Sequence, residues 1–184
     1  MKNNTSLSIS SVLMNSIILG IAGSLFHMLY QITGENTLAA LISPVNESIW
    51  EHLKIVFFPL LIWWIIMYLF KKDLWDISRS TWLTSAAVSL ITAPLFVILL
   101  YYSYTGALGI HSLIADISLV FITSFLALSI AGHFLKYARP DKFTSALSIV
   151  IIIVIVAAFI YFTFFPPKLP LFLDSVTRTY GINK

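Results

Sequence analysis

The sequence contains no cysteine, which excludes disulfides, thiol nucleophiles and cysteine-built metal sites. Charge is nearly as scarce. Asp, Glu, Lys and Arg make up 10% of 184 residues, against roughly 25% in soluble domains. The net charge of +3 is spread along the chain with no block of like charges, so nucleic acid is not an expected partner. There is no HExxH stretch, no other closely spaced histidine pair, no internal repeat and no low-complexity linker. A transporter built from inverted repeats gains no support from that pattern. What fills the chain is apolar: 59% of residues belong to the AVILMFWYC set. So few charges cannot cover that much apolar surface in water. The expected solvent, and the expected partner, is the lipid bilayer.

A helix crossing a hydrocarbon core about 30 Å thick needs roughly 20 mainly apolar residues. Five segments qualify, at about residues 12–31, 50–70, 81–104, 110–134 and 143–165. The fold class expected is all-α, a polytopic membrane protein with a bundle of about five transmembrane helices in a single integral membrane domain, 1–184. Pro59 and Pro94 fall inside the second and third spans and are expected to kink them. Pro44 suits a first helical turn and Ser43 a cap. The second span is therefore expected to begin early, as one long helix whose first two turns are polar. The first span is too long for a signal peptide and carries Asn15, Ser24 and His27. Its Gly20, Ala22, Gly23 and Ser24 suit close helix packing.

Lys71, Lys72 and Arg79 follow the second span, and Lys136, Arg139 and Lys142 follow the fourth. The connections after the first and third spans carry no Lys or Arg until Lys54. The positive-inside rule then expects a cytoplasmic N-terminus and a C-terminus outside. Trp75, Trp82 and Tyr137 fall in the inner aromatic belt, and Tyr101, Tyr102 and Tyr104 in the outer one. The tail, 166–184, contains Pro166, Pro167 and Pro170 among Leu169, Leu171, Phe172 and Leu173. It cannot be one helix and is too apolar for a free tail, so it is expected at the outer interface. Asp174 and Arg178 would lie near the same face.

Most remaining ionisable residues collect near that outer face. The densest run is Asn46-Glu47-Ser48-Ile49-Trp50-Glu51-His52-Leu53-Lys54. On a helix Glu47 and Glu51 share a face, with His52 about 100° round from Glu51. His27 lies about one turn from the outer end of the first span, and His111 opens the fourth. Asp116 lies deeper, where a charge is costly and needs a partner. The candidate catalytic residues are Glu47, Glu51, His52 and Asp116. The candidate metal ligands are His27, Glu51, His52, His111 and Asp116, with Glu47 in the same inventory. Histidines and carboxylates can hold a divalent metal ion, the one cofactor suggested, and an open site needs about three of them plus water. Each residue also has a structural reading. Glu47 and Glu51 suit a helix start, His27 an interhelical hydrogen bond, and His111 and His133 the interface. Trp63 and Trp64 read as packing residues.

Three functions fit. One is a structural or accessory multi-pass membrane protein whose His/Glu/Asp cluster pins the outer helix ends together. Another is a metal-assisted membrane hydrolase or lipid-modifying enzyme. The third is a small proton- or cation-coupled transporter. Whether the chain is an enzyme stays open at this point.

The run from Pro44 through the Asn-Glu-Ser-x-Trp-Glu-His-Leu-Lys motif, together with the Phe-Pro-Pro tail that leads to Tyr180-Gly181-Ile182, resembles a domain-of-unknown-function family. Its members are small integral membrane proteins of bacteria, mainly Firmicutes. The resemblance covers nearly the whole chain and implies a multi-pass protein of the bacterial plasma membrane. It brings no activity. The positions it matches are Asn46, Glu47, Ser48, Trp50, Glu51, His52 and Lys54.

Overall fold

A computed structural model describes residues 7–75 and 77–182, with the side chains of 71–75 outside the description. Lys71, Lys72 and Trp75, which enter the orientation and belt readings, therefore lie outside the described side chains. The described chain is all-helical. In order come α1 (Ile9–Ile32), a short α2 (Thr37–Ala40), α3 (Ile49–Trp75), α4 (Arg79–Tyr102), α5 (Leu113–Tyr137) and α6 (Lys142–Phe164). A π-helical turn, Ser103–Ala107, prolongs α4, and a 3-10 turn, Pro170–Phe172, lies in the tail. Five helices are long and apolar enough to cross a membrane: Ile9–Ile32, Ile49–Phe70, Arg79–Ala107, Leu113–Tyr137 and Lys142–Phe164. Pro59 and Pro94 sit within unbroken α3 and α4.

The starts of these helices follow from local chemistry. Ser8, Ser78, Ser112 and Asp141 each accept a backbone N–H of the first turn, which satisfies donors that the helix itself leaves free. Two expected starts move for this reason. His111 does not open a helix; it precedes Ser112, and α5 begins at Leu113. The segment Pro44–Glu47 does not extend α3 either, because Ser48 Oγ accepts from Glu51 N at 3.3 Å and Asn46 Oδ1 accepts from Ser48 N at 2.9 Å. Those bonds turn the chain into the helix at Ile49.

Burial is arranged as in a lipid solvent. Leu13, Ile17, Ile21, Ile65, Leu95, Ile153 and many similar side chains are exposed, whereas Ser16, Ser85, Ser89, Thr123 and Ser124 are buried. Ser16, Ser85 and Thr123 donate to the carbonyl four residues earlier, so they place no unpaired polar group in the bundle. Two indoles join helices as well as packing. Trp63 donates to Asn15 at 2.9 Å and Trp64 to Ser89 at 2.6 Å. Helix α1 packs on α3 and α5, while α4 packs on α3, α5 and α6. At Gly23 an added Cβ would lie 2.8 Å from the Ile55 carbonyl oxygen, so only glycine lets α1 approach α3 this closely. The alternating run of spans gathers the end of α1, the start of α3, the π turn, the start of α5 and the end of α6 at one end of the bundle.

Candidate metal centre

Three ligand-type side chains converge at that end. His27 from the last turn and a half of α1, Glu47 from the loop and His52 from the first turn of α3 place their ligand atoms within 4.8 Å of one another. His27 Nε2 and His52 Nε2 are 3.2 Å apart. His52 Nε2 lies 3.3 Å from Glu47 Oε2, and His27 Nε2 lies 3.9 Å from Glu47 Oε1. Ligands about 2.0–2.1 Å from a tetrahedral zinc stand about 3.3 Å from each other. The two shorter edges match that spacing, and the third, to the other oxygen of Glu47, is longer by about half an ångström.

The tautomer of His52 follows from its other neighbour. Its Nδ1 is 2.9 Å from the Ser48 carbonyl oxygen, which can only accept. Nδ1 therefore carries a hydrogen, which leaves Nε2 as the nitrogen turned toward His27 and Glu47: protonated, it donates to the Glu47 carboxylate, and deprotonated, it offers a lone pair to a cation. A histidine held through its second nitrogen by a backbone carbonyl is the usual support of a metal ligand. Two facing imidazole nitrogens at 3.2 Å need either a shared proton or a shared cation between them. The hydrogen bond with His52 is the main reason the Glu47 carboxyl sits below its usual value, in spite of partial burial.

The loop carrying Glu47 is tied down by the tail. Asp174 Oδ2 accepts from Glu47 N at 3.3 Å, and Asp174 Oδ1 accepts from Val176 N and Thr177 N at 2.7 and 3.0 Å. Burial by itself would raise the Asp174 carboxyl, but these backbone donors outweigh it and hold the group below the usual range. Asn46 Nδ2 donates to the Gly181 carbonyl at 2.8 Å. Gly181 has φ +71°, and a Cβ there would press on Pro166 at 3.1 Å, so this turn requires glycine. Phe172 seats the segment against Trp50, with ring centroids 4.8 Å apart.

The open side of the cluster faces a cavity of about 230 Å³ between α1, α3, α4 and α5. Asp116 lines it together with His27, Glu47 and His52. The partner that Asp116 needs at this depth is Tyr104, whose hydroxyl donates to its carboxylate. Tyr104 stands on the π turn, a distortion often found beside functional sites.

Glu51 is not part of this arrangement. It is 2% exposed and points to Lys54, which is 0% exposed. Lys54 Nζ donates to Glu51 Oε2 at 2.7 Å, to Thr163 Oγ1 at 2.6 Å and to the Ala40 carbonyl at 2.8 Å. Thr163 Oγ1 is also 3.1 Å from Glu51 Oε1, and Val45 N donates to Glu51 Oε2 at 3.1 Å. This second cluster fastens the start of α3 to the end of α6. His111 is exposed, and among the described residues no contact joins it to either cluster. Sequence reasoning missed Thr163, Tyr104 as the partner of Asp116, and the pairing of Lys54 with Glu51. The last was within reach, since the two stand three apart on a helix; Tyr104 and Thr163 left no signal.

A model described as a family of unknown function, DUF6512, matches residues 1–182, and the chain belongs to that family. No curated protein and no solved structure matches it.

Proposed function

We propose that this DUF6512 member is a metal-dependent membrane hydrolase whose metal is held by His27, Glu47 and His52. The observation that carries the reading is the convergence of three ligand atoms whose free side opens on a cavity containing a fourth ionisable group, Asp116. A divalent ion such as zinc, once bound there, supplies Lewis acidity and an acidified water. The chain's own residues do the rest. The Ser48 carbonyl holds His52 in its ligand tautomer, and Asp174 holds the backbone of Glu47. Asp116, oriented by Tyr104, receives the proton of the attacking water and returns it to the leaving group. The membrane is a bacterial plasma membrane, with the N-terminus cytoplasmic and the site on the outer side. Arg79, Lys136, Arg139 and Lys142, at the opposite end of the bundle, support that orientation. A structural role for the second cluster, Glu51, Lys54 and Thr163, stands beside this reading, because it lies outside the cavity.

The test is elemental analysis of purified, zinc-equilibrated protein, wild type beside His52→Ala and Glu47→Gln. One zinc per chain is expected in the wild type, with none retained by variants that keep a cooperative melting transition. Absence of zinc, manganese, nickel and cobalt from the equilibrated wild type overturns the metal reading. With metal bound, hydrolysis of chromogenic acyl esters must follow metal content and be lost in Asp116→Asn. Metal binding with no turnover of any ester or amide reduces the site to a metal clamp on the helix ends.

A further inference from the structure

The lining of the cavity changes character with depth. His27, Glu47, His52, Tyr101 and Asp116 line its outer part, beside the apolar Ile49 and Leu113. About one turn further along the same helices the wall is Ile55 and Val56 on α3, Val97 on α4, and Leu119 and Val120 on α5. Gly23 of α1 packs behind that wall, where an added Cβ would meet the Ile55 carbonyl oxygen at 2.8 Å and Val120 Cγ1 at 3.1 Å. From Asp116 to Val120 the helix rises about 6 Å. The polar groups thus sit in the outer part of the slot, and its inner part is apolar throughout.

That gradient selects for an amphiphile held head-up. A polar head meets the ligand cluster and Asp116, and an apolar chain runs down between α3, α4 and α5. The slot also limits chain length. Its volume of about 230 Å³ is below the roughly 300–1,000 Å³ of pockets for drug-sized ligands. The apolar wall below Asp116 spans about one helical turn, roughly 5–6 Å, the length of about four to six carbons.

We infer that the substrate is a short-chain acyl compound, an ester or amide whose acyl carbon lies at the cluster and whose chain of about four to six carbons fills the slot. The inference rests on the metal reading above and deepens it. In the reaction, water adds its oxygen to the acyl carbon and the bond to the alcohol or amine breaks. One water proton passes through Asp116 to the leaving group. The products are the carboxylic acid and the free alcohol or amine.

The probe is a series of straight-chain hydroxamic acids of two, four, six, eight and twelve carbons, whose head chelates metal, titrated against zinc-loaded protein in nanodiscs. Affinity is expected to rise at least tenfold from two to six carbons and then to level off or fall. Val97→Trp and Val120→Phe, each filling the apolar inner part from a different helix, are expected to collapse the six-to-two-carbon ratio toward one. If the protein holds no zinc, the metal reading fails and this inference fails with it. If the two-carbon compound binds but chain length has no effect, the inference is wrong and the metal reading survives. A rise that continues unbroken to twelve carbons reports partition into lipid and also sinks the inference. The wild-type series decides the matter even where both variants misfold.

Discussion

A lysine with no exposed surface, inside a bundle of apolar helices, persists only if each ammonium hydrogen has an acceptor. Lys54 has one in Glu51, one in Thr163 and one in the Ala40 carbonyl, and Glu51 in turn accepts from Val45 N. Removing one member of such a pair strands the other charge away from water. Lys54→Met should therefore lower unfolding stability in detergent by about 3–5 kcal/mol. The double variant Lys54→Met/Glu51→Gln should lose less than the two single losses added together, as a double-mutant cycle of denaturant melts would read. Residue chemistry was only partly legible in the sequence. The charged run Glu47 to Lys54 marked the right place, and Asp116 announced its need for a partner. Which carboxylate served which cluster was hidden, because it depends on a loop. Glu47 and Glu51 share a face only if both are helical, and Ser48 ends that continuity by capping the helix between them.

At the scale of elements, span positions were easy to read, because about 20 apolar residues in a row leave few alternatives. Span starts were less so. The Ser48-x-x-Glu51 spacing is a capping signature, and weighing it above Pro44 would have started α3 at Ile49. How the helices dock is set by details that hydropathy does not register. Gly23 is one. Gly23→Ala should force α1 away from the Ile55 carbonyl that lies 2.8 Å from the added Cβ. Because His27 is the next turn along the same helix, zinc affinity should fall together with melting temperature. An unchanged affinity would mean that α1 does not set the position of His27. A helix cap supplies a pH-dependent test. Thr144 Oγ1 and Thr144 N donate to Asp141 Oδ1 at 2.6 and 2.8 Å, the hydroxyl bond being the larger reason its carboxyl lies below the ordinary value of 3.8. A group depressed on folding adds stability above its unfolded value and loses it as pH falls through the lower folded one. Thr144→Val should move the Asp141 titration, followed by carboxyl NMR, back up toward 3.8.

Across the whole molecule, the loop bearing Glu47 is held by partners more than a hundred residues away. Asp174, 2% exposed, receives Glu47 N, and Gly181 receives Asn46. Asp174→Ala should leave helix content unchanged while weakening zinc binding by about 10–100-fold, the usual loss when a supporting partner of a ligand is removed. Equilibrium dialysis beside circular dichroism separates the two effects, and equal affinity in wild type and variant would cut the tail out of the site. The same ties impose an order on biosynthesis. Asn46 and Gly181 are 135 positions apart, and at roughly 5–20 residues per second the ribosome reaches Gly181 several to tens of seconds after Asn46. During that interval His27 and His52 can already have met in the bilayer while Glu47 hangs on an unfastened loop. On the proposed metal reading, the nascent chain would carry a two-histidine half-site, and metal loading would be a late maturation step that waits for the tail to be made and folded back.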